Sequence, residues 1–375
     1  MDLRKVKRPG LDGALMAALV ILVFSGVVMV FSSSALYADY KYHDSFFFIK
    51  KQLFWLSLGA LVFYFCRKLN YENYKKHARF LLLTAIVLLG LVFVPHVGKS
   101  VNGAKRWIGV SFFNIEPSEF LKLSFIIFMA DSVAKKQAVM KSFTSGMLPY
   151  IIIIGFLSGV LLLQPDMGSA VMIAIIGISI FFVGGGKPAH VLGFILTAVP
   201  AVVLLIMKSG YRNNRLVAFL HPWKEQSGKA FQIVQSFLAF GSGGILGKGL
   251  GKGVQKLLYL PEAHTDFIFA IIGEELGLIG ATLMLGLFCF FVYKGIQTAL
   301  RTEDIFGRLL ALGLSGYIGL QAFFNMGVVL GMGPTKGMTL PFISYGGSSL
   351  IINLAAAGIL MNIASKVDRE KSRYN

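Results

Sequence analysis

Ionisable residues in this chain gather in short polar stretches between long apolar runs. The stretch from Gln255 to Phe269 carries Lys256, Glu262, His264 and Asp266, and then gives way to an apolar run reaching Tyr293. Such a run is long enough to cross a bilayer, which takes roughly 20 apolar residues. Asp266 is the last polar residue before it, so it sits where water meets lipid. An ionisable group at that boundary is costly unless it is paired or used, which makes Asp266 a candidate functional-site residue. Glu262, His264 and Thr265 stand beside it.

Other polar stretches offer complementary chemistry. Arg212 and Arg215 are three apart and share a face if their segment is helical. Two readings stand for them: forked donors to a phosphate, or an interfacial belt snorkelling to headgroups. The glycines between Gly241 and Gly253 are threaded with Lys248, Lys252 and Lys256. They do not make a P-loop, because Ser242 stands where the first glycine belongs and Gly249 where Ser or Thr is needed. They read either as a flexible loop or as backbone N–H groups and lysines around phosphate.

Arg106 and Trp107 precede Glu116-Pro117-Ser118-Glu119, and Glu119 stands three residues before Lys122. An intrahelical ion pair and an aromatic-belt tryptophan are the plain alternatives to substrate contacts there. Asp166 reads as a turn cap ahead of a second site carboxylate. Glu274 and Glu275 lie deeper in an apolar run and call for structural partners. Gln321 and Asn325 are four apart, so they form one polar face of the type that joins helices. Pro334 to Ser349 closes the last such stretch, with Lys336 its only charge and Ser344 within it. Asp266 and His264 alone are weak grounds for a metal site. A loosely held Mg²⁺ or Mn²⁺, bound partly by a ligand's phosphates, would need only one or two carboxylates.

The elements that must position these residues are membrane helices. Hydrophobic residues make up 55% of the chain and charged ones only 14%, which excludes an ordinary soluble domain. Apolar runs fall at roughly 13–33, 51–66, 79–95, 114–131, 147–164, 168–184, 189–208, 265–293, 307–330 and 342–363. They lack barrel alternation, so an all-α polytopic membrane protein with about ten transmembrane helices is expected. A single domain over 1–375 follows, with a large external loop over 209–264 before the eighth helix. Cys66 and Cys289 both lie in apolar runs and read as core residues.

The net charge of +18 is spread over short loops, which argues against nucleic acid as a partner. Arg4, Lys5, Lys7 and Arg8, then Arg67 to Arg79, then Lys135 to Lys141, then Lys366 to Arg373 occupy alternate connections. That bias puts these connections and both termini in the cytoplasm, and the first run reads as a retained anchor. The polar motifs therefore belong to the extracytoplasmic face. Part of the positive charge lies in the 209–264 loop, where it suits an anionic ligand.

Taken together, Lys105-Arg106-Trp107, Pro117-Ser118-Glu119, Gln164-Pro165-Asp166, His221-Pro222-Trp223, the Gln255–Glu275 block and Pro334–Ser349 resemble the SEDS family (shape, elongation, division and sporulation). The resemblance covers nearly the whole chain. The forms Leu260-Pro261-Glu262-Ala263-His264-Thr265-Asp266 and Thr335-Lys336-Gly337-Met338-Thr339-Leu340-Pro341 are closer to the FtsW and SpoVE branch than to RodA.

The resemblance implies a peptidoglycan glycosyltransferase in the bacterial cytoplasmic membrane, working at the division septum. It implies lipid II and lipid-linked glycan as substrates, and a class B penicillin-binding protein and other division proteins as partners. Asp266 matches the family's essential acidic residue. Substrate contacts are expected from Arg212, Arg215, Lys256, Glu262, His264, Lys336, Arg106, Trp107, Glu119, Lys122 and Ser344. Rival readings are a lipid II flippase, a scaffold that only recruits the division machinery, or an elongation or sporulation paralogue with the same chemistry.

Overall fold

The computed structural model describes residues 10–101, 104–110, 113–224, 230–257, 259–335 and 337–374. Each of the ten apolar runs is a helix, as expected of backbone that must satisfy its own hydrogen bonds in lipid. These are α1 (Leu11–Tyr42), α2 (Phe47–Lys68), α3 (Glu72–Leu91), α4 (Pro117–Lys135), α5 (Leu148–Leu163), α6 (Met167–Val183) and α7 (Pro188–Lys208). After two further helices, α8 (Gly210–Leu220) and α9 (Phe231–Gly243), come α10 (Ile268–Arg301), α11 (Ile305–Val329) and α12 (Gly347–Tyr374). The protein is an all-α polytopic membrane protein.

Among the described residues, seven helices are long and apolar enough to cross a membrane, and α6 is a shorter apolar one. Helix α3 falls outside that group because Lys75, Lys76 and Arg79 fill its first turns, and α4 because protein encloses it. Hydropathy reports lipid exposure, and α4 is surrounded by α3, α6, α11 and α12. It can therefore bury Glu119, Lys122 and Asp131 among protein neighbours. At the opposite extreme α7 buries none of its residues, and its sequence is correspondingly apolar.

Some boundaries differ from the sequence reading. Phe113–Ile115 is not the start of a span but a strand. It is β3 of a small antiparallel sheet in the order β1 (Gly98–Val101), β2 (Ala104–Val110), β3. Likewise Phe342 to Tyr345 is loop, and α12 begins only at Gly347.

The expected long external loop is substantially ordered. It contains α8 and α9, and α9 packs on α10 and α11. The glycine-rich stretch that follows is docked onto a break in α10, where Gly277 has φ 68° and ψ −167°. Only glycine adopts this backbone readily. The break frees backbone groups, and the docked stretch takes them up. Lys248 N donates to Glu274 O (3.0 Å), Gly249 N to Glu275 O (2.9 Å), and Leu278 N to Gly244 O (2.9 Å).

The two buried carboxylates are paired there, as their depth required. Glu274 accepts from Lys248 Nζ at 2.7 Å and from Val254 N at 2.8 Å. Glu275 accepts from Lys256 Nζ and Ser32 Oγ, each at 2.6 Å. The phosphate reading of the stretch thereby loses two of its lysines.

One end of the bundle is a knot of close polar contacts. Arg67 pairs with Asp12 at 2.6 Å, and Asn362 Nδ2 donates to Arg67 O at 2.7 Å. Tyr71 donates its hydroxyl to Asp304 at 3.0 Å, and Lys366 pairs with Glu72 at 2.8 Å. These contacts tie the start of α1, the α2–α3 and α10–α11 turns and the end of α12.

Candidate active site

At the other end, polar segments far apart in sequence line one cavity of about 490 Å³. Lys51 and Trp55 come from α2, and Arg106, Trp107 and Asn114 from the β-sheet. Glu116, Glu119 and Lys122 come from the start of α4, Arg215 from α8 and Gln232 from α9. The Glu262–Phe267 turn and the loop before α12 complete the wall.

Asp266 is held by its backbone. Thr265 N and Phe267 N both donate to Glu262 O at 3.2 Å, with Glu262 left-handed at φ 56°. A single side-chain amide then joins this turn to the last loop. Asn325 Nδ2 donates to Asp266 O (2.8 Å) and to Met338 O (2.6 Å). One turn earlier on α11, Gln321 Nε2 donates to Thr339 O at 3.1 Å. The polar face read from these two residues is thus a brace for the site.

The Asp266 carboxylate itself accepts no hydrogen bond among the described residues and faces Arg106 across Gly337. A Cβ added to Gly337 would stand 3.2 Å from Asp266 Oδ2 and 4.0 Å from Arg106 Nη1. Arg106 is anchored through Nε to Gln164 O (3.1 Å) and through Nη2 to Pro165 O. Arg215 Nη1 donates to Thr335 O at 3.0 Å.

Asp266 is pushed up to about 7, chiefly by loss of water around it and then by the Glu262 carboxylate. Arg106 and Arg215 pull in the opposite direction. Glu116 is pushed up to about 8 by desolvation, with Glu119 and Asp166 adding to it. The cavity therefore holds two carboxyl groups that titrate near neutrality, an arrangement typical of sites that move protons.

The remaining expected residues divide. Glu119 lines the cavity with both oxygens engaged, one by Lys122 Nζ (2.7 Å) and one by the Tyr317 hydroxyl (2.9 Å). The intrahelical pair is therefore real and forms part of the wall. Asp166 caps α6 by accepting from Ser169 N at 3.1 Å.

His264 lines the cavity from an aromatic nest, its ring centroid 4.4 Å from that of Phe48 and 5.8 Å from that of Tyr345. Burial lowers it to about 4, so it is neutral at pH 7. Among the described residues, no group of three or more His, Cys, Asp or Glu could hold a metal.

Two expectations need correction. Lys256 is not at the cavity: it is buried and bound to Glu275, because the break in α10 needs a counter-charge there. Ser344 stands behind the wall, donating to Thr265 O at 2.6 Å and accepting from Leu340 N at 2.8 Å. Lys336 lies outside the described residues, as does the side chain of Arg212. Lys51, Trp55, Glu116 and Gln232 line the cavity and were not singled out as site residues. Glu116 carried a signal, being next to Pro117 in a quoted motif. Lys51 and Trp55 lie within the apolar run 51–66 and carried no signal of their own.

The pattern of the FTSW_RODA_SPOVE family, described as cell cycle protein, matches residues 13–369. The chain belongs to this family. A relative from Geobacter metallireducens, named probable peptidoglycan glycosyltransferase FtsW, is 44% identical over 367 residues, covering 98% of this chain and 97% of that one. Stage V sporulation protein E of Bacillus subtilis is 41% identical over 358 residues, covering 96% and 98%.

Among solved structures, a chain of a peptidoglycan synthase complex, described for its coordination of polymerization and crosslinking, matches with a TM-score of 0.75 at 28% identity. It covers 93% of this chain and 97% of that one. The rod shape determining protein RodA of Thermus thermophilus matches with a TM-score of 0.71 at 27% identity, covering 94% and 96%. Within the FtsW/RodA/SpoVE family the chain is thus nearer in sequence to these FtsW and SpoVE relatives than to this RodA.

Proposed function

We propose that this chain is a peptidoglycan glycosyltransferase that polymerises lipid II into glycan strands at the outer face of the cytoplasmic membrane during cell division. One observation carries the reading. A carboxyl group that titrates near neutrality, Asp266, faces Arg106 and lines an open cavity together with Arg106 and Arg215.

The 4-hydroxyl of the acceptor sugar attacks the anomeric carbon of the lipid-linked donor. Asp266 takes the hydroxyl proton as the new C–O bond forms. The bond from the anomeric carbon to the diphosphate oxygen breaks, and undecaprenyl diphosphate leaves with inversion. A base poised near the working pH is suited to this and contributes about 10²–10⁴ in rate.

The leaving diphosphate needs positive charge, not an acid. Arg215 and Arg106 supply it, with Lys51 at the cavity wall as a further cation. Arg212 and Lys336 are proposed for the same role. A divalent cation, if one is used, would be held by Asp266 and Glu262 with the diphosphate, and would neutralise developing charge.

Resemblance to a chain from a peptidoglycan synthase complex supports a class B penicillin-binding protein as partner. The basic residues Arg67, Lys68, Lys75 and Lys76 at the opposite end support a cytoplasmic location for that end, and hence an external cavity. The relatives named FtsW support the division role and the septum.

The test is polymer formation from labelled lipid II by the purified chain with its transpeptidase partner. Wild type makes glycan, and Asp266→Asn loses at least about 100-fold. Undiminished polymer from the variant would sink the base assignment. No polymer from wild type, with flipping of lipid II in liposomes, would favour the transporter.

A further inference from the structure

A second built cavity lies at the far end of α4 from the candidate active site. It has a volume of about 180 Å³, with α4 contributing Phe128, Asp131, Ser132 and Lys135, and α3 and α5 contributing Arg79 and Ile153. Lys136, just past the end of α4, also faces it. We propose that this cavity binds the headgroup of an anionic phospholipid with hydroxyl donors, of the phosphatidylglycerol type, from the leaflet at that end.

Charge gives the sign of the ligand. Arg79, Lys135 and Lys136 stand around a single carboxylate, Asp131. Lys135 neutralises Asp131 at 2.7 Å, which leaves Arg79 and Lys136 as excess positive charge. A phosphodiester is the anion such a pair would take.

A second observation gives the rest of the headgroup. Asp131 is 3% exposed, and its Oδ1 is buried with no hydrogen-bond partner among the described residues. A buried carboxylate oxygen is costly when left unpaired. A glycerol hydroxyl that reaches Oδ1 after a small rotation of the Asp131 carboxylate, with the adjoining phosphate on Arg79 and Lys136, would satisfy both demands at once.

The walls give the tails. Phe80, Leu83 and Val87 make an exposed apolar stripe on α3, and Ile152 and Phe156 make one on α5. Both stripes run from the cavity toward the middle of the membrane. A charged rim below two apolar stripes has the form of an amphiphile, and a free anion would leave the stripes unused.

The experiment is native mass spectrometry of the full chain in detergent, titrated with phosphatidylglycerol, phosphatidylcholine or sn-glycerol 3-phosphate. Wild type should retain one phosphatidylglycerol in preference to phosphatidylcholine. Each basic residue near a membrane surface is worth about fivefold, so Arg79→Ala with Lys136→Ala should weaken retention about 30-fold. Lys141→Ala, in the same basic loop but away from the cavity, should not. Equal retention by wild type and the double variant would overturn the proposal. So would displacement of the lipid by glycerol phosphate at matching concentration, which would make the site one for a soluble phosphate. If the double variant does not fold, a photoreactive phosphatidylglycerol on wild type decides. Labelling of peptides within 128–136 and 149–153 supports the site, and labelling only elsewhere refutes it.

Discussion

The two ends of the bundle use the same residue types in opposite ways. At the knotted end three carboxylates have close partners: Asp12 on Arg67, Glu72 on Lys366, and Asp304 on Tyr71 and two backbone amides. At the cavity end Asp266 and Glu116 line open space, the Asp266 carboxylate with no hydrogen bond among the described residues and that of Glu116 with only the Ser118 hydroxyl at 3.1 Å, and both are pushed up toward neutrality. A carboxylate satisfied by neighbours holds structure. One left unsatisfied by its fold is available to a ligand. Glu119, paired with Lys122 at 2.7 Å, shows the first role within the cavity wall itself.

The sharpest way to break this contrast is to neutralise one aspartate at each end. Asp266→Asn should cut polymerisation by at least about 100-fold while leaving the melting temperature in detergent unchanged or higher. Asp304→Asn should do the reverse. It turns one of the two acceptor oxygens, Oδ1 facing Phe306 N or Oδ2 facing Gly307 N and the Tyr71 hydroxyl, into a donor amide, which should cost about 1–3 kcal/mol of stability. Activity per folded molecule should hold. If Asp304→Asn lost turnover without losing stability, the division of labour would be wrong.

Between these extremes lies the corrected residue, Lys256. Breaking a buried ion pair by removing one partner costs about 3–5 kcal/mol, because the other charge stays buried. Lys256→Met should therefore lower the yield of folded protein. Glu275→Gln added to it should restore much of the loss, since no charge is then stranded. A substrate-binding lysine would behave differently, with a raised KM, normal folding and no rescue.

The pH dependence separates the ends a second time. Asp266 must be ionised to act, and it titrates at about 7. kcat/KM should fall close to tenfold per pH unit below that value and level off above it. The stability effect has the opposite sign. A carboxyl raised from its ordinary value binds its proton more tightly when folded, so stability from this group is present at low pH. It is lost as pH rises through about 7. Asp266→Asn should flatten that decline. A rate profile already level at pH 5 would remove Asp266 as the base.

A smaller steric test acts on the same carboxylate. Gly337→Ala puts a methyl group 3.2 Å from Asp266 Oδ2, tighter than ordinary contact. Turnover should fall by about tenfold, the scale expected of a small misplacement of a reacting group. Folding should be little changed, because the methyl points into the cavity.

The sequence made one end far more legible than the other. All ten apolar runs proved to be helices, because lipid imposes a one-dimensional rule on a chain that crosses it. Asp266 was visible for the same reason, as a charge at the edge of such a run. Two things were not visible. The break at Gly277, with the glycine-rich stretch docked on it, requires knowing that residues 244–249 meet residues 274–279. Without that contact Lys256 looks like a phosphate ligand. Lys51 and Trp55 were hidden for a related reason. Their segment reads as a plain membrane helix, and only the packing of α2 against α12 turns those side chains to the cavity.

The smallest expected effect comes from the knotted end itself. Lys366 and Glu72 are 2.8 Å apart, but their side chains are 41% and 53% exposed. An exposed pair of this kind contributes about 0–1 kcal/mol and weakens with salt. Arg67–Asp12 is less exposed, at 39% and 20%, and Asp12 also carries a link from its backbone to Asp368. Lys366→Ala should therefore shift the melting temperature by less than Arg67→Ala, and salt should erase more of the difference for Lys366. If the two variants were equally harmful, the knot would be held by its total charge. If Arg67→Ala is the worse, it is held by the few contacts that exclude water, and position within the fold again decides what a charge does.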